Sequence, residues 1–145
     1  KRYYLIDPFS FMPKYPNRMY GGKVARSQQD MDEIYQLTKK RLKKHKSKLI
    51  FCRKNSNEAV ADIPDETLDF LYIDGDHHKT GVSSDILNYR QKMKIGGYLV
   101  FDDWHWRDDN GLTSVKEATM EYLSMHPNSL LLVEIKNNQA VFIAT

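Results

Sequence analysis

The amino-acid sequence predicts an α/β domain whose mostly parallel sheet has helices on both faces and closes with a C-terminal antiparallel hairpin. Three observations predict this class. Strand and helix patterns alternate along all 145 residues, which is typical of parallel sheets layered with helices. The apolar run at residues 68–73 suits a central strand that is covered on both faces. The last two strand patterns flank a Lys136-Asn137-Asn138 turn, which is a hairpin signal. We expect a single domain over residues 1–145.

The alternating patterns divide the chain into short strands and longer helices. Each strand is a brief apolar run, and each long helix repeats its apolar residues at the helical period. In chain order the predicted elements are strand 3–6, helix 28–44, strand 48–52, helix 57–61, strand 68–73, helix 80–93, strand 98–101, helix 113–125, strand 130–135 and strand 139–144.

Turn and capping residues set the boundaries of these elements. An Asp-Pro pair closes the first strand, and residues 9–26 form a long loop that is rich in proline, glycine and aromatic residues. Ser27 is a suitable N-cap for the first long helix. Gly96-Gly97 breaks the helix that precedes it, so we expect the next strand to begin at Tyr98.

Polar residues follow four of the predicted strands at the point where each strand ends. In open α/β sheets, ligands bind beyond the carboxyl ends of the strands, so we expect these side chains to form the site. They are Asp7, Asn55-Ser56, Asp74-Gly75-Asp76-His77 and Asp102-Asp103.

Asp74 is separated in the sequence from the adjacent pair Asp102 and Asp103 by about one strand-helix-strand unit. If they meet at one sheet edge, they repel one another unless a cation is present, and hard divalent cations such as Mg²⁺ prefer oxygen ligands. A metal ion there could hold a hydroxyl substrate and lower its pKa. The alternative is that each aspartate is a helix N-cap or a turn residue.

Residues 68–104 read LDFLYIDGDHHKTGVSSDILNYRQKMKIGGYLVFDDW. This segment resembles the middle of the class I S-adenosylmethionine-dependent methyltransferases that carry an IDGDH motif. The group includes metal-dependent sugar and small-molecule O-methyltransferases of the macrocin type. The resemblance implies a Rossmann-like fold, S-adenosylmethionine and Mg²⁺ (or a similar divalent cation) as cofactors, and methyl transfer to a hydroxyl of a small molecule or sugar.

The resemblance also implies roles for the residues that bind the cofactor. Asp7 matches the acidic residue that holds the ribose hydroxyls of S-adenosylmethionine, because a carboxylate can accept two hydrogen bonds from a vicinal diol. A simple Asp-Pro turn is the alternative for Asp7. Asn55 and Ser56 match the short polar pair near the adenine, and Asp74 and His77 are further candidate cofactor-binding residues.

The resemblance assigns the chemical step to the residues after the next two strands. Asp74, Asp102 and Asp103 match the metal ligands, and Asp74, or else His77, takes the substrate proton. His78, Lys79 and Thr80 depart from the family's usual residues, which leaves the substrate open. His78 is best interpreted as a helix N-terminal turn residue.

Two further segments keep alternative interpretations. Trp104 and Trp106 could wall a substrate or the cationic methylsulfonium, or one of them could cover the sheet edge. The lysine- and arginine-rich residues 39–48 could bind phosphate, but we favour a solvated helix end.

The family's first strand and Gly-x-Gly loop have no counterpart in these residues, because the paired glycines Gly21-Gly22 and Gly96-Gly97 lie in another context. The resemblance places the missing strand between those at 3–6 and 68–73. We therefore expect the chain to be N-terminally incomplete.

Amino-acid composition narrows the binding partners and the cellular setting that we expect for this protein. The net charge of +3 is too mild to indicate nucleic-acid binding, and no apolar run approaches the roughly 18 residues of a membrane span. A single cysteine, Cys52, favours a reducing, cytoplasmic setting. We expect a small-molecule substrate and no membrane partner, and a homo-oligomer stays open. The alternatives are a non-catalytic remnant that serves as a binding or assembly module, and a metal-dependent hydroxylase or hydrolase.

Overall fold

The predicted mixed α/β fold is confirmed by the computed structural model, which describes residues 1–108 and 110–145. Strands and helices alternate in the predicted order, and an antiparallel hairpin ends the chain. The elements are β1 Tyr3–Ile6, α1 Gln28–Arg41, β2 Leu49–Cys52, α2 Ser56–Ala59, β3 Leu68–Ile73, α3 Lys79–Tyr89, β4 Met93–Phe101, α4 Ser114–Met125, β5 Leu130–Lys136 and β6 Gln139–Ala144.

The chain divides into two units, Lys1–Ala59 and Val60–Thr145, which we call unit 1 and unit 2. Unit 1 holds the parallel pair β1-β2, and unit 2 holds a four-stranded sheet in the order β3-β4-β6-β5. In unit 2, β3 and β4 are parallel, whereas β6 is antiparallel to both of its neighbours. The expectation of a single domain over residues 1–145 stays a prediction.

In unit 1, the long helix begins where the capping signal predicted. The side chain of Ser27 accepts a hydrogen bond from the backbone N–H of Asp30, which satisfies one of the donors that every helix N-terminus leaves unpaired. The loop predicted over residues 9–26 contains one kinked helical turn, Met19–Lys23, which the aperiodic sequence did not indicate.

In unit 2, the core lies between one face of the sheet and the two helices. Side chains of α3, α4 and all four strands form one buried cluster, with Phe101, Trp104 and Phe142 as its largest members. The other face of the sheet carries Phe70, which is 57% exposed, and Tyr98, which is 47% exposed. The expectation that the strand at residues 68–73 is covered on both faces is therefore wrong for its Phe70 side.

The start of β4 was predicted wrongly, because Gly96-Gly97 lies inside the strand and does not precede it. The helix ends at Tyr89, and the strand already begins at Met93. Gly96 has φ +80, a left-handed conformation that favours glycine, and a Cβ on Gly97 would lie 3.0 Å from the carbonyl oxygen of Leu68. The register against β3 shifts at this point. The glycines therefore lie where the pairing of β4 with β3 is irregular.

The predicted hairpin is confirmed. Asn137 and Asn138, which connect β5 to β6, both have positive φ, 51° and 63°. Two successive left-handed residues are typical of the type I′ turn, which matches the twist of the flanking strands. Among the described residues, no helix is both long and apolar enough to cross a membrane. A cytoplasmic location stays a prediction.

Candidate active site

In unit 1, the loop after β1 lies beside the end of β2, because the two strands are parallel and in register. Ile6 pairs with Cys52, and the backbone N–H of Asp7 donates to the carbonyl of Cys52 over 3.2 Å. The Asp7 carboxylate is exposed, and its Oδ1 accepts from the backbone N–H of Phe9 over 2.6 Å. Oδ2 has no partner among the described residues, so it can accept a bond from a ligand.

Two side chains hold this loop in place through its backbone. The carbonyl of Phe9 accepts from Nε2 of Gln28 over 3.0 Å and from Nη2 of Arg53 over 3.2 Å. Arg53 also forms an ion pair with Asp32, and its hydrogen bond lowers the pKa of that carboxyl below the ordinary value. The ring of Phe9 packs on Tyr35, with 5.0 Å between centroids. The Asp7 region is thus tied to α1 by polar and aromatic contacts.

The predicted adenine pair begins the short helix that follows β2. The carbonyl of Asn55 accepts from the backbone N–H groups of Glu58 and Ala59, over 3.1 and 2.9 Å, and Ser56 is the first residue of that helix. Asn55 itself is exposed. Asp7 and Asn55 therefore both follow the carboxyl ends of paired parallel strands within unit 1.

In unit 2, the structure brings together the acidic residues that follow β3 and β4. Ile73 pairs with Phe101, and the backbone N–H of Asp102 donates to the carbonyl of Ile73 over 3.0 Å. The Nε2 atom of His77 lies 3.5 Å from Oδ1 of Asp74 and 3.7 Å from Oδ2 of Asp103. We call Asp74, His77, Asp102 and Asp103 the acidic cluster.

The buried nitrogen of His77 is the least satisfied polar atom of this cluster. His77 Nε2 is buried and has no hydrogen-bond partner, although two carboxylate oxygens face it. A buried unpaired nitrogen is costly, so it marks a place where a ligand, a water molecule or a proton is expected.

Crowding of carboxylates changes the acidity of Asp74. Burial is the largest cause that raises the pKa of this carboxyl above its ordinary value; the negative charges of Asp102 and Asp103 raise it further, and His77 opposes them. The Asp74 side chain is still 51% exposed. Asp74 is therefore an accessible carboxylate whose affinity for a proton is greater than usual.

Asp102 is held by groups from two neighbouring strands. Its Oδ1 accepts from Nε2 of Gln139 over 3.0 Å, and the same nitrogen lies 2.8 Å from the hydroxyl oxygen of Tyr72. Burial and a hydrogen bond to Asp102 raise the pKa of Tyr72 to about 12. The phenol therefore stays protonated throughout the neutral range.

Asp103 is held by the β5–β6 turn. Its backbone has φ 52°, a left-handed conformation, and its Oδ1 accepts from Nδ2 of Asn138 over 3.0 Å. The side-chain oxygen of Asn138 accepts from the backbone N–H of His105 over 2.8 Å, and its carbonyl accepts from Trp104 over 2.8 Å. One asparagine thus contacts three consecutive residues of the loop after β4.

The described residues give the predicted metal ion no support. Within residues 1–108 and 110–145, no group of three or more histidine, cysteine, aspartate or glutamate side chains is arranged to hold one. One oxygen of Asp102 and one of Asp103 already accept bonds from Gln139 and Asn138. The assignment of Asp74, Asp102 and Asp103 as metal ligands stays a prediction without support here.

The two tryptophans after Asp103 have different surroundings. Trp104 is 2% exposed and packs against Phe101 and Phe142 in the core. Trp106 lies beside the cluster, with its ring centroid 5.8 Å from that of His77 and 6.0 Å from that of His78. His78 is the N-cap residue of α3, and its Nδ1 is 2.6 Å from Oδ1 of Asp76. Trp106 is thus the tryptophan that can contact a ligand of the cluster.

The sequence profile of a methyltransferase-domain family matches residues 1–104, which is most of the chain. The chain belongs to this methyltransferase-domain family. The resemblance to class I methyltransferases is confirmed at this level, whereas the IDGDH subgroup and the metal dependence stay predictions. No curated protein matches the chain.

Several solved methyltransferase structures have the same fold as this chain. The O-methyltransferase NovP superposes with a TM-score of 0.66 at 17% identity, over 99% of this chain and 60% of NovP. The N-methyltransferase NodS from Bradyrhizobium japonicum WM9 gives 0.55 at 17% identity, over 99% and 73% of the two chains. A methyltransferase from Podospora anserina, solved with bound SAH, gives 0.59 at 13%, over 78% and 57%.

At these sequence identities, the structural similarities show only that the fold is shared. The methyltransferase-domain chain spans only 60% of NovP and 57% of the Podospora protein. The neighbours also include both O- and N-methyltransferases. The structural neighbours therefore do not identify which atom accepts the methyl group.

Sequence reasoning missed four residues that shape the sites of this methyltransferase-domain chain: Arg53 in unit 1, and Tyr72, Asn138 and Gln139 in unit 2. One signal was available for the last two. A strand that runs antiparallel to β4 must begin where β4 ends, as the pairing of Phe101 with Ala140 shows. The residues that open β6 therefore had to lie beside Asp102 and Asp103.

Proposed function

We propose that this protein transfers a methyl group from S-adenosylmethionine to a hydroxyl group of a small molecule or sugar. The observation that carries the proposal is the acidic cluster: an accessible carboxylate of raised pKa beside a buried, unpaired histidine nitrogen, in a chain of a methyltransferase-domain family. A hydroxyl must lose its proton as it is methylated, so a site for that reaction needs a base.

The cofactor supplies an electrophilic methyl group on a sulfonium sulfur. Among this chain's residues, Asp7 is suited to bind the ribose hydroxyls, because its exposed carboxylate keeps an oxygen free to accept. Asn55 and Ser56 are proposed to contact the adenine. The loop that carries Asp7 is tied to Gln28 and Arg53 through the backbone carbonyl of Phe9.

The acceptor hydroxyl is proposed to donate its proton to the Asp74 carboxylate. The bond between the hydroxyl oxygen and the methyl carbon forms as the sulfur–methyl bond breaks, and S-adenosylhomocysteine leaves as a neutral thioether. The raised pKa of Asp74 makes it a stronger base than an ordinary aspartate. His77 is the alternative proton acceptor, and both residues remain proposed contacts of the bound cofactor.

No step of this mechanism runs through a metal ion, because the described residues give no support for a metal site. Metal dependence is instead an outcome to be measured. Methyl transfer that survives EDTA supports the proton transfer to Asp74, whereas activity that requires added Mg²⁺ restores the original metal-site prediction.

The first test is calorimetric titration of S-adenosylhomocysteine into the protein, with and without Mg²⁺. We expect saturable binding that Asp7→Asn weakens by about tenfold, the loss expected for hydrogen bonds made by a charged acceptor. Asp69→Asn is the matched control, since Asp69 is an exposed carboxylate of β3 that is paired with Lys94. If the wild-type protein does not bind S-adenosylhomocysteine, the cofactor proposal fails, and metal binding alone would favour a hydrolase or hydroxylase.

The second test measures methyl transfer to a panel of hydroxyl and amine acceptors. We expect hydroxyl acceptors to react, and Asp74→Asn to lower kcat by roughly 10²- to 10⁴-fold, the usual contribution of a general base. A larger loss in His77→Gln than in Asp74→Asn assigns the proton to His77. Transfer to amines alone contradicts the proposed acceptor.

A further inference from the structure

Residues at the turn between β5 and β6 form hydrogen bonds with the acidic cluster. Asn138 donates to Oδ1 of Asp103 over 3.0 Å and accepts from the backbone N–H of His105 over 2.8 Å. The side chain therefore spans the left-handed turn at Asp103 and binds both sides of it. A short left-handed loop with two such bonds has little freedom to rotate.

Gln139 restricts the side chain of Asp102 in a similar way. Its Nε2 lies 3.0 Å from Oδ1 of Asp102 and 2.8 Å from the hydroxyl oxygen of Tyr72, so it joins β6 to a residue of β3. With one oxygen held by Gln139, the Asp102 carboxylate cannot rotate without breaking a bond between side chains. Asn138 and Gln139 are consecutive, so one turn holds both aspartates.

The direction of the free carboxylate oxygen follows from these bonds. Because Oδ1 of Asp103 is held by Asn138, its Oδ2 is the atom that faces Nε2 of His77, at 3.7 Å. The same nitrogen faces Asp74 at 3.5 Å. The geometry around the proposed base therefore depends on a residue that has no contact with Asp74 itself.

We propose that Asn138 and Gln139 are positioning residues, which orient Asp103 and Asp102 around the Asp74–His77 pair and so set the geometry of proton transfer. This inference rests on the proposed function of the acidic cluster. Catalytic groups are commonly held by such surrounding hydrogen bonds, and a misplacement of about 1 Å can lower a rate by about 10²-fold.

The first test separates positioning from the folding of the turn. Asn138→Gly keeps a residue that readily adopts the positive φ of this turn, but it removes the side chain that binds Asp103. We expect kcat, measured at a temperature well below Tm, to fall by about tenfold or more while KM for S-adenosylmethionine stays unchanged. Asn137→Gly is the matched control: it alters the same turn at φ 51° and should leave kcat unchanged.

The second variant addresses Asp102. Gln139→Met keeps the length of the side chain and removes its donor, so we expect a loss of kcat with an unchanged KM for S-adenosylmethionine. Equal losses in Asn138→Gly and Asn137→Gly, or a fall of kcat that only accompanies a fall of Tm, would reduce the turn to a structural element and overturn the inference.

A third measurement keeps the inference testable if the protein shows no methyl transfer. The side-chain amide resonances of Asn138 and Gln139 are followed by NMR in Asp103→Ala and Asp102→Ala. We expect the Asn138 signals to shift only in Asp103→Ala and the Gln139 signals only in Asp102→Ala, while the Asn137 signals do not shift in either. If the wild-type protein is inactive and these shifts occur, the proposed function fails, but the positioning of Asp103 and Asp102 by this turn is supported. If the Asn138 and Gln139 signals do not shift, the positioning inference is overturned.

Discussion

The two units hold their functional edges by different means. In unit 1, Lys1–Ala59, the loop with Asp7 is fixed by hydrogen bonds and an ion pair at the surface, through Gln28 and Arg53. In unit 2, Val60–Thr145, the strands that end in the acidic cluster are anchored in a continuous apolar core, and the β5–β6 turn adds specific hydrogen bonds. Burial of apolar surface stabilises far more than exposed polar pairs do.

Because of this difference, the two sets of proposed site residues should respond differently to destabilising conditions. Surface hydrogen bonds open in local fluctuations, whereas a core opens only with the whole unit. The edge with Asp7 is therefore expected to be adaptable, and the acidic cluster to be rigid. A rigid cluster is what proton transfer requires, while a ligand edge tolerates movement.

The largest effect is expected from the core of unit 2. Phe142 is 1% exposed and packs edge-to-face on Phe101, with 5.7 Å between centroids. Phe142→Ala should lower the free energy of unfolding by about 3–5 kcal/mol, measured by urea denaturation, because it leaves a cavity. Ile95→Ala, at an 81% exposed apolar side chain of the same sheet, should change it by less than about 0.5 kcal/mol. Similar losses from the two variants would contradict the division between core and surface.

A smaller and more local effect is expected at Arg53. Arg53→Gln removes the ion pair with Asp32 and the bond to the carbonyl of Phe9. We expect faster hydrogen exchange at residues 7–11 and unchanged exchange in unit 2, because the broken contacts lie at the surface of unit 1. Lys44→Gln, at an exposed basic residue near the end of α1, is the control. A change of exchange throughout unit 2 would show that the contacts of Arg53 act beyond the loop.

The smallest effect is expected when the pH is lowered and the Asp32 carboxylate becomes protonated. Arg53 lowers the pKa of Asp32 in the folded protein below its ordinary value of 3.8. A lowered pKa stabilises the folded state above the unfolded value, and this contribution disappears as the pH falls through the folded value. The side-chain N–H signals of Arg53, which contacts Asp32 directly, should therefore be constant from pH 7 to 5 and change only below 3.8. Asp32→Asn should lack this transition, whereas Glu33→Gln on the same helix should keep it. A transition that survives in Asp32→Asn belongs to another group.

Local signals in the sequence predicted much of the fold. The bounds of β1, β3 and β6 agree with the prediction, because short apolar runs ended by polar residues or by an asparagine turn leave little choice of register. The Ser27 cap and the Asn137-Asn138 turn were also predicted, since each depends on one or two neighbouring residues.

What the sequence could not predict depends on pairing between distant strands. A glycine pair usually ends an element, and only the pairing with β3 shows that Gly96-Gly97 lies inside β4, where the register is irregular. The roles of Asn138 and Gln139 likewise require the antiparallel return of β6 beside β4. Trp104 and Trp106 were indistinguishable by type, and packing decided which of them enters the core.

Cys52 makes the adaptability of unit 1 directly observable. It is the sole thiol of the chain, it is 7% exposed, and its carbonyl accepts the amide of Asp7 at the end of β2. A bulky disulfide reagent can reach the sulfur only when this end of the strand pair opens. Its labelling rate therefore measures that opening without the need to introduce another cysteine, and a ligand bound at Asp7 should lower the rate in proportion to its occupancy.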